Sequence, residues 1–151
     1  MHPDIALRAA TPADYDPIIA VVDGWWGRPI RHALPRVFVD HFHATSTIAE
    51  ADGALAGFLI AFLSPSQPDA AYIHFVGIDP ARRRDGLARV LYQRFFASAA
   101  ANGRTVVRAI TAAGNTGSIA FHTAMGFTVT PPIPDYDGDS APKVLFERSL
   151  P

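Results

Sequence analysis

Between Ala71 and Asn102 the hydrophobic period of the chain changes once, and this change limits the folds open to it. From Ala71 to Ile78 apolar residues alternate, with Ile73 and Phe75 on one face and Tyr72, His74 and Val76 on the other. That spacing predicts a strand lying in a sheet. Asp79-Pro80 breaks the strand, and Arg82-Arg83-Arg84-Asp85-Gly86 follows. From Leu87 the spacing is helical, with Leu87, Val90, Leu91, Arg94, Phe95 and Ser98 along one stripe. Asn102-Gly103 ends that helix, as glycine accepts the left-handed cap position.

The flanking sequence supplies the remaining elements. Ile5-Ala6-Leu7-Arg8 predicts a first strand, and Thr11-Pro12-Ala13-Asp14 a helix start that carries Ile18, Ile19 and Val22 and stops at Gly24. Trp25-Trp26-Gly27-Arg28-Pro29 reads as a loop, and Ala33 to Phe42 as a second helix. Strands at Thr47–Glu50 and Leu55–Leu63 flank the hairpin signal Asp52-Gly53 and, with the strand from Ala71, suggest an antiparallel meander. Strands at Thr105–Thr111, Phe127–Thr130 and Val144–Arg148 follow, with a short helix opening at Gly114-Asn115 and closing at Gly126. The order β-α-α-β-β-β-α-β-α-β-β describes an α/β protein in the α+β sense: a mixed sheet with helices on its faces.

With 151 residues, the chain has room for one domain spanning 1–151 with its own core, and no second catalytic unit. Hydrophobic residues make up 49% and charged residues 18%, which excludes intrinsic disorder. There is no cysteine, so disulfides, thiolate metal sites and cysteine nucleophiles are excluded. His41 and His43 sit two apart on a helix and point to different faces, so with His32 they make no metal site. Met1-His2-Pro3-Asp4 shows no signal-peptide pattern, and no apolar run is long enough for a span. The expectation is a soluble, cytoplasmic protein with no membrane partner; a homodimer stays open.

The turn between strand and helix carries the chemistry. A helix N-terminus presents unpaired N–H groups and partial positive charge. Gly86 lets a ligand approach the backbone, Ala88 keeps the next turn small, and the arginines add charge. The segment therefore reads either as a phosphate or pyrophosphate seat or as a solvated basic turn that caps a helix.

Arg83-x-x-Gly86-x-Ala88 is similar to the Gln/Arg-x-x-Gly-x-Gly/Ala signature of the GNAT N-acetyltransferase superfamily. Asn115-x-x-Ser118-x-x-Phe121-His122 with Gly126-Phe127 resembles a second motif of that family. The resemblance implies a central pair of parallel, splayed strands, and acetyl-CoA as donor. It implies that the backbone from Arg84 through Asp85, Gly86, Leu87 and Ala88 to Arg89, with Arg83, holds the pyrophosphate. Val76 and Ile78 would pair with the pantetheine arm, and the Val76 N–H would face the thioester oxygen. Asn115 would meet that arm or cap its helix, and Phe121 would pack beside the cofactor.

His122 stands where the family has a tyrosine as proton donor; it either protonates the leaving sulfur or packs. His74 and Tyr72 share a strand face with Val76, and His74 is the candidate base, since no acid occurs between Ala70 and Ile78. Trp25 and Trp26 either line an acceptor pocket or plug the sheet, because two adjacent indoles do not easily face one core. Tyr136, in the acidic run Asp135 to Asp139, lies in a loop that closes the acceptor pocket in many family members, or in a solvated turn. The expected activity is direct transfer of acetyl to a primary amine of a small molecule or peptide. A non-catalytic acyl-CoA sensor is the main alternative. A nucleic-acid module would rest on Arg82, Arg83 and Arg84 alone, and the net charge of −1 argues against it.

Overall fold

The computed structural model describes residues 4–151. Met1, His2 and Pro3, read above for a targeting signal, lie outside them. The elements are β1 (Ile5–Ala9), α1 (Tyr15–Trp26), α2 (Arg36–Phe42), β2 (Thr47–Ala51), β3 (Ala54–Leu63), β4 (Ala70–Ile78), α3 (Leu87–Ala101), β5 (Val106–Ala112), α4 (Thr116–Ala124), β6 (Thr128–Val129) and β7 (Lys143–Ser149). This is the order expected from the sequence. The strands follow one another in the sheet as β1-β2-β3-β4-β5-β7-β6. β1–β2 and β2–β3 are antiparallel, β4–β5 is parallel, and β5–β7 and β6–β7 are antiparallel, so the sheet is mixed. Among the described residues no helix is long and apolar enough to cross a membrane.

The chain forms two compact units. The first contains the residues up to Phe62 together with Ile73–Ser98. Its core joins Ile18 and Val22 of α1, Leu34, Val39 of α2, and Ile48, Phe58, Ile60 and Phe75 from the strands. At the entry to α1, the Asp14 carboxylate accepts the Thr11 N–H at 2.7 Å and two bonds from the Arg8 guanidinium at 2.8 Å. The Asp52-Gly53 turn joins β2 to β3 with φ of 52° and 77°, the pair of positive angles that a tight hairpin requires.

Three sequence expectations change here. α1 does not stop at Gly24; it runs on to Trp26, and Gly27 closes it with φ of 75°. Trp25 and Trp26 are thus helical, and both pack against the same core cluster. A mid-helix glycine costs only about 1 kcal/mol relative to alanine, while burying most of two indoles gains more. Secondly, Ala33 does not begin α2. Arg31–Ala33 is a single 3-10 turn, and Pro35 holds Leu34 out of the helical region, so the helix begins at Arg36. Thirdly, the buried stripe of α3 runs through Leu87, Leu91, Tyr92, Phe95, Phe96 and Ala99, whereas Arg94 and Ser98 are exposed.

The second unit contains Leu63–Tyr72 and Ala99–Pro151. β5 and β7 pair along their whole length, from Val106↔Ser149 to Ala112↔Lys143. Asn115 caps α4 through its side chain, and Gly126, with φ of 90°, turns the chain back. The Arg148 Nη1 donates to the Met125 carbonyl at 2.6 Å, which satisfies a carbonyl at that helix end.

Candidate active site

The parallel pairing of β4 with β5 spans Ala70↔Val106, Ala71↔Val107 and Tyr72↔Arg108 and then stops, although β4 continues to Ile78. Beyond the strand, the Asp79 N–H donates to the Ala56 carbonyl at 2.9 Å. Alternation along an extended chain turns the polar groups of Ile78 and Val76 to the opposite edge. There the Trp26 indole Nε1 donates to the Val76 carbonyl at 3.2 Å.

After β4, the Asp79 carboxylate accepts the Ala81 N–H at 3.0 Å and fixes the 3-10 turn Pro80–Arg82. Gly86 then takes φ of 76°, a left-handed angle that side chains resist. Among the described residues, no atom beyond its chain neighbours lies within 4 Å of where its Cβ would stand, so the approach to this backbone is open. The helical ladder of α3 begins with Val90 N–H to Gly86 O at 3.2 Å. Leu87, Ala88 and Arg89 therefore present their N–H groups ahead of the ladder, as a helix N-terminus does. Arg83 and Arg84 are exposed on the turn, and Arg83 donates to the Trp25 carbonyl.

The end of α1 is held against this region by several contacts within the unit. The Trp25 ring stacks near Phe58 at 6.2 Å between centroids, and Trp26 lies 4.9 Å from Phe75. The Asp23 carboxylate accepts the Ile30 and Arg31 N–H groups at 2.8 and 2.9 Å, which shapes the connection to α2. These bonds, Ile30 first, hold its pKa below the usual carboxylate range. The sequence signal for Asp23 was a carboxylate just ahead of a Gly/Pro-rich turn.

His74 is clamped on two sides. Its Nε2 lies 2.7 Å from the Ala33 carbonyl, and its ring stacks on Phe38 with centroids 3.8 Å apart and planes 7° apart. Burial lowers its pKa, against a smaller upward effect of the Ala33 bond. Neither Ala33 nor Phe38 is singled out by the sequence, where both fall within the helix predicted from Ala33 to Phe42.

The remaining candidates belong to the second unit. His122 is only 6% exposed; its Nδ1 lies 2.8 Å from the Ser118 carbonyl, and its ring stacks on Phe146 at 4.0 Å and 3°. Phe121 and Phe127 meet the same imidazole edge-on at 5.5 and 5.0 Å. Burial lowers the pKa of His122. The Asn115 Oδ1 accepts the Ser118 N–H at 3.1 Å, and its Nδ2 donates to the Thr111 hydroxyl at 3.2 Å. Burial, with smaller effects of Tyr136 and Asp137, pushes the Tyr72 phenol up to about 12. Tyr136 is exposed. Its acidic neighbours are engaged locally: Asp135 accepts the Ser140 N–H at 2.8 Å, Asp139 accepts the Ala141 N–H at 3.0 Å, and Asp137 pairs with Lys143 at the start of β7 at 3.5 Å. Among the described residues there is no cluster of three metal-ligating side chains.

A strand whose pairing with β5 ends at Tyr72, a left-handed glycine turn and a helix N-terminus follow one another here, the setting that the Arg83-x-x-Gly86-x-Ala88 resemblance implies. The model of the Acetyltransferase (GNAT) family matches residues 15–127. The chain belongs to the GNAT acetyltransferase family. Its mixed sheet with the parallel β4–β5 pair is the GNAT fold. L-2,4-Diaminobutyric acid acetyltransferase of Nocardia farcinica (strain IFM 10152) is 32% identical over 84 residues, 56% of this GNAT chain and 44% of that relative. The match spans less than half the relative's length. Ard1 from Thermoplasma volcanium shares the fold with a TM-score of 0.83 at 20% identity, over 98% of this chain and 99% of that one. Diaminobutyrate acetyltransferase EctA from Paenibacillus lautus, in complex with L-2,4-diaminobutyric acid and coenzyme A, has a TM-score of 0.74 at 19% identity, over 97% and 95% of the two chains.

Proposed function

We propose that this protein transfers the acetyl group of acetyl-CoA to the primary amine of a small cationic molecule, of which a diamino acid is the first to test. The observation that carries the reading is the junction of β4 and α3: pairing with β5 that ends at Tyr72, followed by Gly86 at φ of 76° with open space where its Cβ would stand. A pyrophosphate fits such a cradle, because N–H groups ahead of a helical ladder favour negative charge. In this reading Arg83, Arg84, Asp85, Gly86, Leu87, Ala88 and Arg89 hold the pyrophosphate, mostly through the backbone. Val76 and Ile78 receive the pantetheine arm in the manner of an added strand. The choice of acceptor is supported by the two diaminobutyrate acetyltransferases that the chain resembles.

Acetyl-CoA supplies the activated thioester. His74, neutral near pH 7 because of its burial, takes the proton that an ammonium must lose before it can attack. The Val76 N–H donates to the carbonyl oxygen as charge develops there. Amine nitrogen bonds to the acetyl carbon, the carbon–sulfur bond breaks, and the second proton of the nitrogen passes through water to the departing thiolate. Tyr72 stays protonated throughout the neutral range, so it suits a donor and not a base. Without cysteine there is no thiol to carry the acetyl group, so attack is direct. Asn115 and Phe121 are assigned to capping and packing of α4. His122, enclosed by aromatic rings with Nδ1 engaged, is assigned to packing and not to protonation of sulfur. Trp25 and Trp26 form the apolar wall of the acceptor pocket.

Calorimetric titration with acetyl-CoA tests the seat. Gly86→Asp places a side chain and a negative charge where the pyrophosphate belongs, so binding is expected to vanish while Arg83→Ala weakens it less. Equal affinity in Gly86→Asp and the parent protein would refute the seat.

A further inference from the structure

His74 is held by two groups from outside its own strand, and their chemistry decides which of its nitrogens is basic. The Ala33 carbonyl can only accept, and it lies 2.7 Å from Nε2. The bond therefore requires the proton on Nε2 and places the lone pair of the neutral ring on Nδ1. Phe38 lies flat against the ring at 3.8 Å and 7°, which removes rotation about the side chain's last torsion. We propose that Phe38 and the Ala33 carbonyl are positioning groups for His74, fixing the Nε2–H tautomer so that Nδ1 is the nitrogen that takes the acceptor's proton. This rests on the acetyl-transfer reading and goes beyond it, since it assigns the atom and the two groups that prepare it.

The same two contacts act again once the proton has moved. When Nδ1 accepts it from the ammonium, directly or through one water, the ring becomes an imidazolium. The bond from Nε2–H to Ala33 then becomes charge-assisted and shorter. The flat face of Phe38 offers the new cation the negative part of its quadrupole. The contacts thus favour the ring more after proton transfer than before it, which is the requirement for assisting a step and not merely holding a side chain. His74 also stands two residues before Val76 on one strand face, roughly 6.6 Å along the strand. A base there lies near the atom proposed to meet the thioester oxygen.

The geometry also explains why α2 begins where it does. Pro35 breaks the helical path between Ala33 and Arg36, leaving the Ala33 carbonyl outside any helical ladder and available to the imidazole. Had the helix run from Ala33, that carbonyl would have been spent on the N–H four residues on.

The test is a long-range 1H–15N correlation spectrum of the whole protein labelled with 15N-histidine, recorded above the histidine titration range. The His74 signals are assigned by their loss in His74→Gln. The expected result is a protonated Nε2 and a pyridine-like Nδ1 for His74. In Phe38→Leu, which nearly keeps the volume, the signals move toward the two-tautomer average of free imidazole. Amine-dependent coenzyme A release is read on the same samples. Phe38→Leu is expected to lower kcat about tenfold with the KM for acetyl-CoA unchanged, and His74→Gln to lower it about a hundredfold or more. A protonated Nδ1 in the parent protein overturns the proposal whatever the activity shows. Full turnover by His74→Gln overturns it as well. If the parent protein released no coenzyme A with any amine while the tautomer was as expected, the acetyl-transfer reading would be the part that failed.

Discussion

The Phe58 ring of β3 lies 2.5 Å from where a Cβ on Gly77 of β4 would stand, so the two strands are fitted around a missing side chain. Phe58 in turn stacks near Phe75 at 6.0 Å and Trp25 at 6.2 Å, which passes the fit on to the end of α1. Gly77→Ala would force that ring aside. The expected cost is about 1–3 kcal/mol, as for overpacking elsewhere, seen as a fall of several degrees in the thermal midpoint. An unchanged midpoint would mean that the Phe58 ring is free to move.

Trp26 contributes a bond and a wall. Trp26→Phe keeps an aromatic ring beside Phe75 but removes the N–H that reaches the Val76 carbonyl. A stability loss of about 1 kcal/mol is expected, with a raised KM for the acceptor and nearly unchanged acetyl-CoA affinity. Trp25→Ala should destabilise more, by about 2–4 kcal/mol, because it empties part of a core cluster. Steady-state kinetics beside thermal melts separate the two roles. Unchanged acceptor kinetics in both variants would remove the end of α1 from the acceptor pocket.

His122 should make the fold sensitive to mild acid. Its folded pKa lies below the ordinary 6.5, chiefly because burial disfavours the charged ring. As pH falls, the unfolded chain therefore binds that proton first. The stability associated with the neutral ring is present above 6.5 and drains away as pH drops toward the folded value. His122→Phe removes this linkage, so its thermal midpoint should fall less steeply than the parent's across that window. The same variant should keep its turnover. A strong loss of kcat with cofactor affinity intact, rescued in His122→Tyr, would return the histidine to the role of proton donor.

Asp14 acts in a lower window. Its hydrogen bond from Arg8 holds its pKa below 3.8, against a smaller opposing effect of burial. The unfolded chain then protonates first, and the contribution is present above 3.8 and lost as pH falls through the folded value. Asp14→Asn should thus melt earlier than the parent near neutral pH and no earlier in strong acid. Because Arg8 is 40% exposed, the difference should also shrink with added salt. A deficit that stayed constant down to low pH would point to lost packing and not to charge.

Element order was legible because each period change in this chain coincides with a breaker: Asp79-Pro80 after β4, Gly103 after α3, Gly126 after α4. The left-handed angles at Gly86 and Gly126 were likewise written in residues that tolerate them. What misled was competition between local and tertiary terms. Gly24 reads as a stop, yet the indoles of Trp25 and Trp26 gain enough from Phe58 and Phe75 to carry the helix past it. Arg94 and Ser98 fit the helical stripe of α3 by spacing, but the buried face is rotated toward Tyr92 and Phe96. The partners of His74 were illegible for another reason: Ala33 acts through a backbone carbonyl, which no side-chain pattern encodes, and Phe38 lies 36 positions away from the ring it holds.

The central claim is that the β4–α3 junction serves amine acetylation, and coenzyme A release measures this most directly. The parent protein would be mixed with acetyl-CoA and a panel of amines that includes L-2,4-diaminobutyric acid, with free thiol followed against Gly86→Asp. Release is expected to depend on the amine, to saturate with it, and to be absent in Gly86→Asp. Tight acetyl-CoA binding with no release above background for any amine would contradict the claim and make the protein an acyl-CoA sensor.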